Sequence, residues 1–316
     1  MGTTIISNRN FSGKLLLIGE HSVIDGSRAL VIPFPDVSAN LVLTQQSLTG
    51  EDLSSNRVLY EFASWLKENE YSSLQKLDIY RLIRDIEKGL YLRSSIPEGY
   101  GLGSSGALCA AVYDEYAEGK NKYSEKPDPD ELLEAKKELA SLESWFHGTS
   151  SGIDPLCIYY NKPLIIGGNE GIRTWQVENI RNEGLQIFLL DTGLTGNTRE
   201  LVKAFRNKLQ GQSLKESFTG QYIPLVNEVV DQFVDGRPDY DSLVQLSLFQ
   251  WRIFQDMIPE KFRRVWQYGL DWEYYTCKLL GSGGGGYILG FTRDFDYARQ
   301  CLMEEFGLEP VYLNIW

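Results

Sequence analysis

Four cysteines occur in 316 residues, Cys109, Cys157, Cys277 and Cys301, and no two of them form a Cys-x-x-Cys pair. Wide spacing and apolar neighbours, as in Leu108-Cys109-Ala110, point to reduced core thiols rather than to a disulfide framework. Basic charge is also in short supply: 31 Lys and Arg against 43 Asp and Glu give a formal charge of -12. Such a balance argues against the basic footprint that nucleic acid requires. No apolar run approaches membrane-spanning length, and the opening Met-Gly-Thr-Thr-Ile-Ile-Ser-Asn-Arg has no apolar core. A myristoylation pattern fails because the hydroxyl, Ser7, stands one place too late. These absences lead to the expectation of a cytoplasmic protein with neither a membrane nor a nucleic-acid partner.

What is present is the composition of a folding chain, 42% hydrophobic and 23% charged, with no biased tract and no internal repeat. Its length favours two packed lobes. The polar segment 179–183 is the expected boundary, giving lobes 1–183 and 184–316. Short β-rich runs at 14–18, 29–32 and 39–43 suit an antiparallel opening sheet. Apolar periodicity predicts helices over 56–69, 74–88, 104–118 and 130–146, the last stopped by Gly148. Strands are expected at 91–96, 157–160, 163–166, 172–175 and 185–190, several helices over 197–275, and closing strands at 278–280, 287–291 and 311–315. That order indicates an α+β fold, not a doubly wound sheet.

The densest signal is Pro97-Glu98-Gly99-Tyr100-Gly101-Leu102-Gly103-Ser104-Ser105-Gly106, with four glycines in eight residues, leading into a helix. Glycines let successive backbone N–H groups converge on a phosphate at the positive end of the helix. Ser104 and Ser105 add hydroxyl donors or a Mg2+ ligand. Gly101 to Gly106 also satisfies the dinucleotide pattern GxGxxG. Yet the helix empties into Gly-Lys-Asn-Lys-Tyr-Ser-Glu-Lys-Pro, where a dinucleotide fold needs a buried strand ending in an acid. GxxxxGK[ST], His-Arg-Asp and Asp-Phe-Gly are all missing, which disfavours P-loop and protein-kinase architectures. A glycine-rich turn that merely caps a helix remains open, but leaves the Ser-Ser pair unexplained.

Both histidines sit in compact polar clusters, Gly19-Glu20-His21-Ser22 and His147-Gly148-Thr149-Ser150-Ser151-Gly152-Ile153-Asp154. Glu143 and His147 share a helix face, so a carboxylate projects near the glycine break. Aimed with a serine hydroxyl at one point, it would suit Mg2+, a hard ion that takes few protein oxygens; a solvated surface Glu is the plainer alternative. Lys14 precedes the apolar run Leu15-Leu16-Leu17-Ile18, where a buried amine is costly unless paired. Pairing with Asp154 would keep that acid ionised and orient it towards an alcohol; the plainer alternatives are a strand-edge lysine and a helix N-cap aspartate. Finally, Lys278-Leu279-Leu280-Gly281-Ser282-Gly283-Gly284-Gly285-Gly286-Tyr287 places five glycines in six residues, more than a hairpin requires. Close backbone approach to a ligand is the expected reason.

Together, the segments 12–26, 97–106 and 278–286 resemble, in order, the three motifs of the GHMP kinase superfamily. The details are most similar to its mevalonate kinase family: Gly13-Lys14, Ile18-Gly19-Glu20-His21-Ser22-Val23, His147-Gly148-Thr149 through Asp154, and Asp191-Thr192-Gly193-Leu194-Thr195-Gly196-Asn197-Thr198. The resemblance implies a two-lobed α+β fold, an N-terminal lobe like ribosomal protein S5 domain 2 and a ferredoxin-like C-terminal lobe. It implies ATP and Mg2+ as cofactors and phosphoryl transfer to the primary hydroxyl of mevalonate, a step towards isoprenoid precursors. Asp154 is then general base or anionic orienter, supported by Lys14. Gly101, Leu102, Gly103, Ser104, Ser105 and Gly106 cradle phosphates, and Ser105 and Glu143 hold the metal. Glu20, His21, Thr198, Gly283 and Gly284 line the substrate side. A homodimer is implied by the family alone. Departures from the usual pattern are Gly106 for alanine, Ser150 for proline, Pro155 for asparagine, Ser282 for alanine and Tyr287 for cysteine. Another kinase of the superfamily, acting on phosphomevalonate, a sugar or homoserine, and a catalytically silent nucleotide-binding relative are the alternatives.

Overall fold

The computed structural model describes residues 4–6, 9–69, 77–118, 124–167, 171–176, 184–196 and 198–314. In chain order these form β1 (Thr4–Ile5), β2 (Phe11–Ile18), β3 (Ala29–Leu43), α1 (Gly50–Glu68), α2 (Ile79–Glu87), β4 (Leu90–Ser94), α3 (Ser104–Tyr116), α4 (Pro129–His147) and α5 (Ile153–Tyr160). There follow β5 (Leu164–Ile166), β6 (Ile172–Thr174), β7 (Gln186–Asp191), α6 (Thr198–Lys208), α7 (Gln212–Ser217), α8 (Ile223–Val234), α9 (Tyr240–Ile253), α10 (Glu260–Trp272), β8 (Thr276–Leu279), β9 (Tyr287–Thr292), α11 (Phe295–Phe306) and β10 (Val311–Leu313). A π-helical turn, Phe218–Tyr222, joins α7 to α8. The segment 179–183, the expected lobe boundary, lies outside the described residues, as do parts of the expected helix at 74–88 and of the last strand.

Two compact units emerge, each made of separate stretches of chain. The first comprises Met1–Lys14, Ile32–Pro97 and Leu102–Lys162; the second comprises Leu15–Val31, Glu98–Gly101 and Pro163–Trp316. In the first, the end of β3 pairs antiparallel with β4, Leu41 opposite Leu92, and with β1. Helices α1 and α2 pack on β4, while α3, α4 and α5 pack on one another. The core here includes Leu59, Phe62, Leu66, Leu139, Leu142 and Leu156, all buried. The two expected strands at 29–32 and 39–43 are one strand, β3, continuous through Pro33 and Pro35. The prolines fall between the ladder at Ala29–Val31 and the one at Ala39–Leu43, where a missing N–H costs these pairings nothing.

The second unit carries the antiparallel ladder of β3 with β5 and β5 with β6, and a separate antiparallel sheet in the order β10-β7-β9-β8. Numbered from β7, that order is 4-1-3-2, the split βαβ arrangement of a ferredoxin-like sheet. One expectation fails. Residues 157–160, read as a strand, are the last half of α5. Every residue of this helix except Asp154 is buried. A helix that is apolar all round has no polar stripe to reveal its period, and its β-branched and aromatic residues mimic a core strand.

Candidate functional site

In the first unit, β2 and three helices bring four polar side chains together. Lys14 belongs to a strand buried almost throughout and is itself 3% exposed. Its Nζ stands 2.7 Å from Asp154 Oδ2, so the buried amine has a counter-charge. Asp154 is in the first turn of α5, after Gly152 at φ 71°, where the helix dipole favours an anion. Glu143, near the end of α4, is 5% exposed. Its Oε1 accepts from Ser105 Oγ at 3.0 Å, and its Oε2 accepts from Ser150 Oγ. Burial, with the charge of Asp154 next, pushes the Glu143 carboxyl up to about 7 against the opposing hydroxyls of Ser150 and Ser105 and the Lys14 ammonium.

Ser104 and Ser105 open α3, whose N-cap is Gly103 at φ 82°, with no capping side chain on the helix end. Its first-turn N–H groups therefore keep their capacity to bind an anion. A β-carbon at Gly103 would lie 3.0 Å from Lys14 Cγ and 2.9 Å from Ile158 Cδ1, so the missing side chain is what lets the lysine stem pass. At Gly106 a β-carbon would meet Pro155 N at 2.9 Å, which fixes how closely α3 approaches the helix bearing Asp154.

In the second unit, Glu20 and Lys278 form an ion pair with side chains 0% and 1% exposed. Lys278 Nζ also donates to Leu279 O at 2.7 Å. Burial raises the Glu20 pKa and lowers that of Lys278, and each charge partly offsets the other's shift. His21, 7% exposed and at φ 60°, has its ring between Phe205, centroids 5.2 Å apart, and Phe254, 4.9 Å. Burial lowers the His21 pKa to about 4, against a hydrogen bond to the Ser282 backbone and with Arg206 and Lys278 adding to the depression. Glu20 Oε2 and His21 Nε2 are buried with no hydrogen-bond partner among the described residues. The 281–286 turn is packed tightly by its own unit. Gly284 N donates to Met257 O at 2.6 Å, and β-carbons at Gly284 and Gly285 would collide with Leu201 and with Gly196. Packing against protein therefore accounts for glycine at those two positions.

Residues 60–162 match the GHMP kinases N terminal domain. The mevalonate kinase of Pyrococcus abyssi is 25% identical over 302 residues, 86% of this chain and 84% of the relative. The D-glycero-alpha-D-manno-heptose 7-phosphate kinase of Campylobacter jejuni is 23% identical over 69% of this chain and 68% of its own. The crystal structure of the L. major mevalonate kinase in complex with R-mevalonate superposes with a TM-score of 0.63 at 16% identity, covering 99% of each chain. The chain therefore has the GHMP kinase fold, with the family's N-terminal domain matched over residues 60–162.

On this GHMP kinase fold, Lys14, Ser105, Glu143 and Asp154 lie in one cluster of the first unit, with Leu102, Gly103, Ser104 and Gly106 beside α3. Gly101, Glu20, His21, Gly283 and Gly284 belong to the second unit. The Thr198 side chain lies outside the described residues. Two members had no place among the site residues expected from sequence. Ser150 donates to Glu143; the hydroxyl-rich run Thr149-Ser150-Ser151 was its only local sign. Lys278 reaches a glutamate 258 positions away, and a short buried strand gives no hint of that.

Proposed function

We propose that the chain is an ATP-dependent kinase that transfers the γ-phosphate to the primary hydroxyl of mevalonate. The observation that carries the phosphoryl-transfer reading is the Lys14–Asp154 pair, 2.7 Å apart, with Ser105 and Glu143 3.0 Å apart in the same cluster. Phosphoryl transfer asks little covalent chemistry of a protein and much positioning and charge neutralisation. On this reading Asp154, 35% exposed, orients or deprotonates the acceptor hydroxyl, and Lys14 supplies its counter-charge while facing the transferring group. The first turn of α3, with Gly101 to Gly106, receives the phosphates.

The Ser105–Glu143 corner suits Mg2+ on the chemistry of its donors, a hydroxyl and a carboxylate. Among the described residues no group of three or more His, Cys, Asp and Glu side chains could hold a metal, so phosphate and water would complete the shell, as this ion prefers. When bound, the ion would neutralise charge on the β- and γ-phosphate oxygens. Glu20, His21, Thr198, Gly283 and Gly284 are assigned to the acceptor alcohol, and the lobes to 1–183 and 184–316.

Mevalonate as acceptor is supported by the named relatives and by the sequence details of the Glu20-His21 and 147–154 segments. The Campylobacter relative favours a second reading, a phosphorylated sugar acceptor. A coupled ADP-release assay over mevalonate, phosphomevalonate, homoserine, free sugars and a heptose 7-phosphate separates the readings. Mevalonate should give the highest kcat/KM; preference for the sugar phosphate would replace the first reading by the second, and silence with every acceptor would remove both.

A further inference from the structure

The Glu20–Lys278 pair is the most deeply buried ion pair described, and the role assigned to Glu20 leaves its partner unexplained. Burying two charges is expensive, and a well-packed apolar pair would generally hold a fold at least as well. What the pair does locally is specific. Lys278 takes only Oε1 of the carboxylate and spends a further proton on Leu279 O. Leu279 N is in turn fixed by Gln250 Oε1 at 2.8 Å, and Gln250 Nε2 donates to Tyr222 Oη at 2.9 Å, where the π-helical turn ends. Gln250 and Tyr222 are both fully buried. The amine is thus anchored through its own backbone to two other elements, and Glu20 is turned by a support that cannot swing away.

The next residue shows the same pattern. His21 is wedged between Phe205 and Phe254 in a left-handed backbone conformation, and its hydrogen bond to the Ser282 backbone occupies Nδ1, because Nε2 is the unpartnered nitrogen. In a neutral ring with Nδ1 donating, Nε2 is an acceptor. Glu20 Oε2, the oxygen that Lys278 leaves untouched, is a second acceptor. Buried acceptors left open on consecutive residues suit a ligand that brings hydrogen-bond donors, such as hydroxyls, and repel phosphate or carboxylate oxygens.

We propose that Lys278 is a positioning residue for the acceptor alcohol: by holding Glu20 through one oxygen it fixes the orientation of the carboxylate and presents the other oxygen, with His21 Nε2, to substrate hydroxyls. This rests on the acceptor-side assignment of Glu20 and His21. The charged and titratable groups around the pair are few: Lys278 and Tyr222 bear on Glu20, and Arg206, Lys278 and Asp25 bear on His21. With the amine removed, burial on Glu20 is opposed only by a backbone hydrogen bond and by Gln250, so its pKa rises further and the protonated carboxyl, a donor in place of an acceptor, is favoured.

The test is Lys278→Met assayed with mevalonate and Mg-ATP from pH 6 to 9, with kcat and both KM values separated. At pH 7, KM for mevalonate should rise roughly tenfold or more, with kcat and KM for ATP within about threefold of wild type. That KM should then fall as pH rises and the carboxyl ionises, at a higher pH than any corresponding change in the wild type. A pH-independent loss of kcat in step with the folded fraction, or an unchanged KM for mevalonate, overturns the proposal. Should the single variant fail to fold, Glu20→Gln with Lys278→Met, which buries no charge, takes its place. It should fold and retain a raised, pH-insensitive KM, and a wild-type KM would overturn the proposal equally. If the wild-type enzyme prefers another alcohol of the panel, the mevalonate reading fails by itself, and the same measurements on that alcohol still decide the role of Lys278.

Discussion

Asp154 and His21 lend themselves to opposite experiments, one on turnover and one on stability. Asp154→Asn removes the carboxylate paired with Lys14 among the described residues, so kcat should fall by about 10²–10⁴-fold while ATP still binds. A variant with near wild-type kcat would remove Asp154 from the chemistry. His21 concerns the fold. Its pKa is lowered from 6.5 to about 4, so between those values the unfolded chain carries the proton and the native one does not. Stability contributed by the neutral ring is therefore full above pH 6.5 and is lost as pH falls towards 4, by about 3 kcal/mol over the window. Urea unfolding at pH 7 and pH 4.5 should show a smaller acid loss in His21→Asn, whose side chain tolerates the left-handed backbone. Equal losses in the two proteins would mean that His21 does not titrate in this way.

At the scale of elements, the contact of α3 with α5 sets where Asp154 stands. Gly106→Ala places a methyl 2.9 Å from Pro155 N and 3.2 Å from Asp154 C, both backbone atoms that cannot rotate aside. Overpacking of this kind should cost about 1–3 kcal/mol and reduce kcat, because α5 must shift with its aspartate. Thermal unfolding and steady-state kinetics check both parts; an unchanged Tm would show that the helices separate freely. Elements of this site differ in how well the sequence announces them. The loop before α3 is legible because glycines and hydroxyls cluster only where backbone must face something. Lys14 is legible because an amine inside an apolar run demands a partner. Helix α5 is not, since burial on all sides erases its period, and the Lys278–Glu20 pair is not, since chain separation carries no local trace. The split sheet order was implied by the family resemblance and not by the periodicity of its strands.

Over the whole molecule, 12 surplus negative charges oppose an incoming polyphosphate. Long-range repulsion is screened within about 10 Å at 0.1 M salt, whereas donors in contact with the ligand are screened much less. On the kinase reading, raising KCl from 10 to 150 mM at fixed free Mg2+ should lower KM for ATP, or leave it level, where a basic nucleotide site would weaken. A steep rise in KM with salt would show that local cations dominate the approach.

The division of the chain also has a consequence for synthesis. Residues Leu15–Val31 are made well before Pro163–Trp316, the stretch with which they share a unit, and Glu20 waits for a lysine 258 positions downstream. At a ribosome speed of 5–20 residues per second, that interval is roughly 13–50 s. Throughout it the apolar strand Leu15-Leu16-Leu17-Ile18 is without the rest of its unit, a nascent-chain segment suited to a holding chaperone. The ion pair that ties this segment to β8 can close only after that interval.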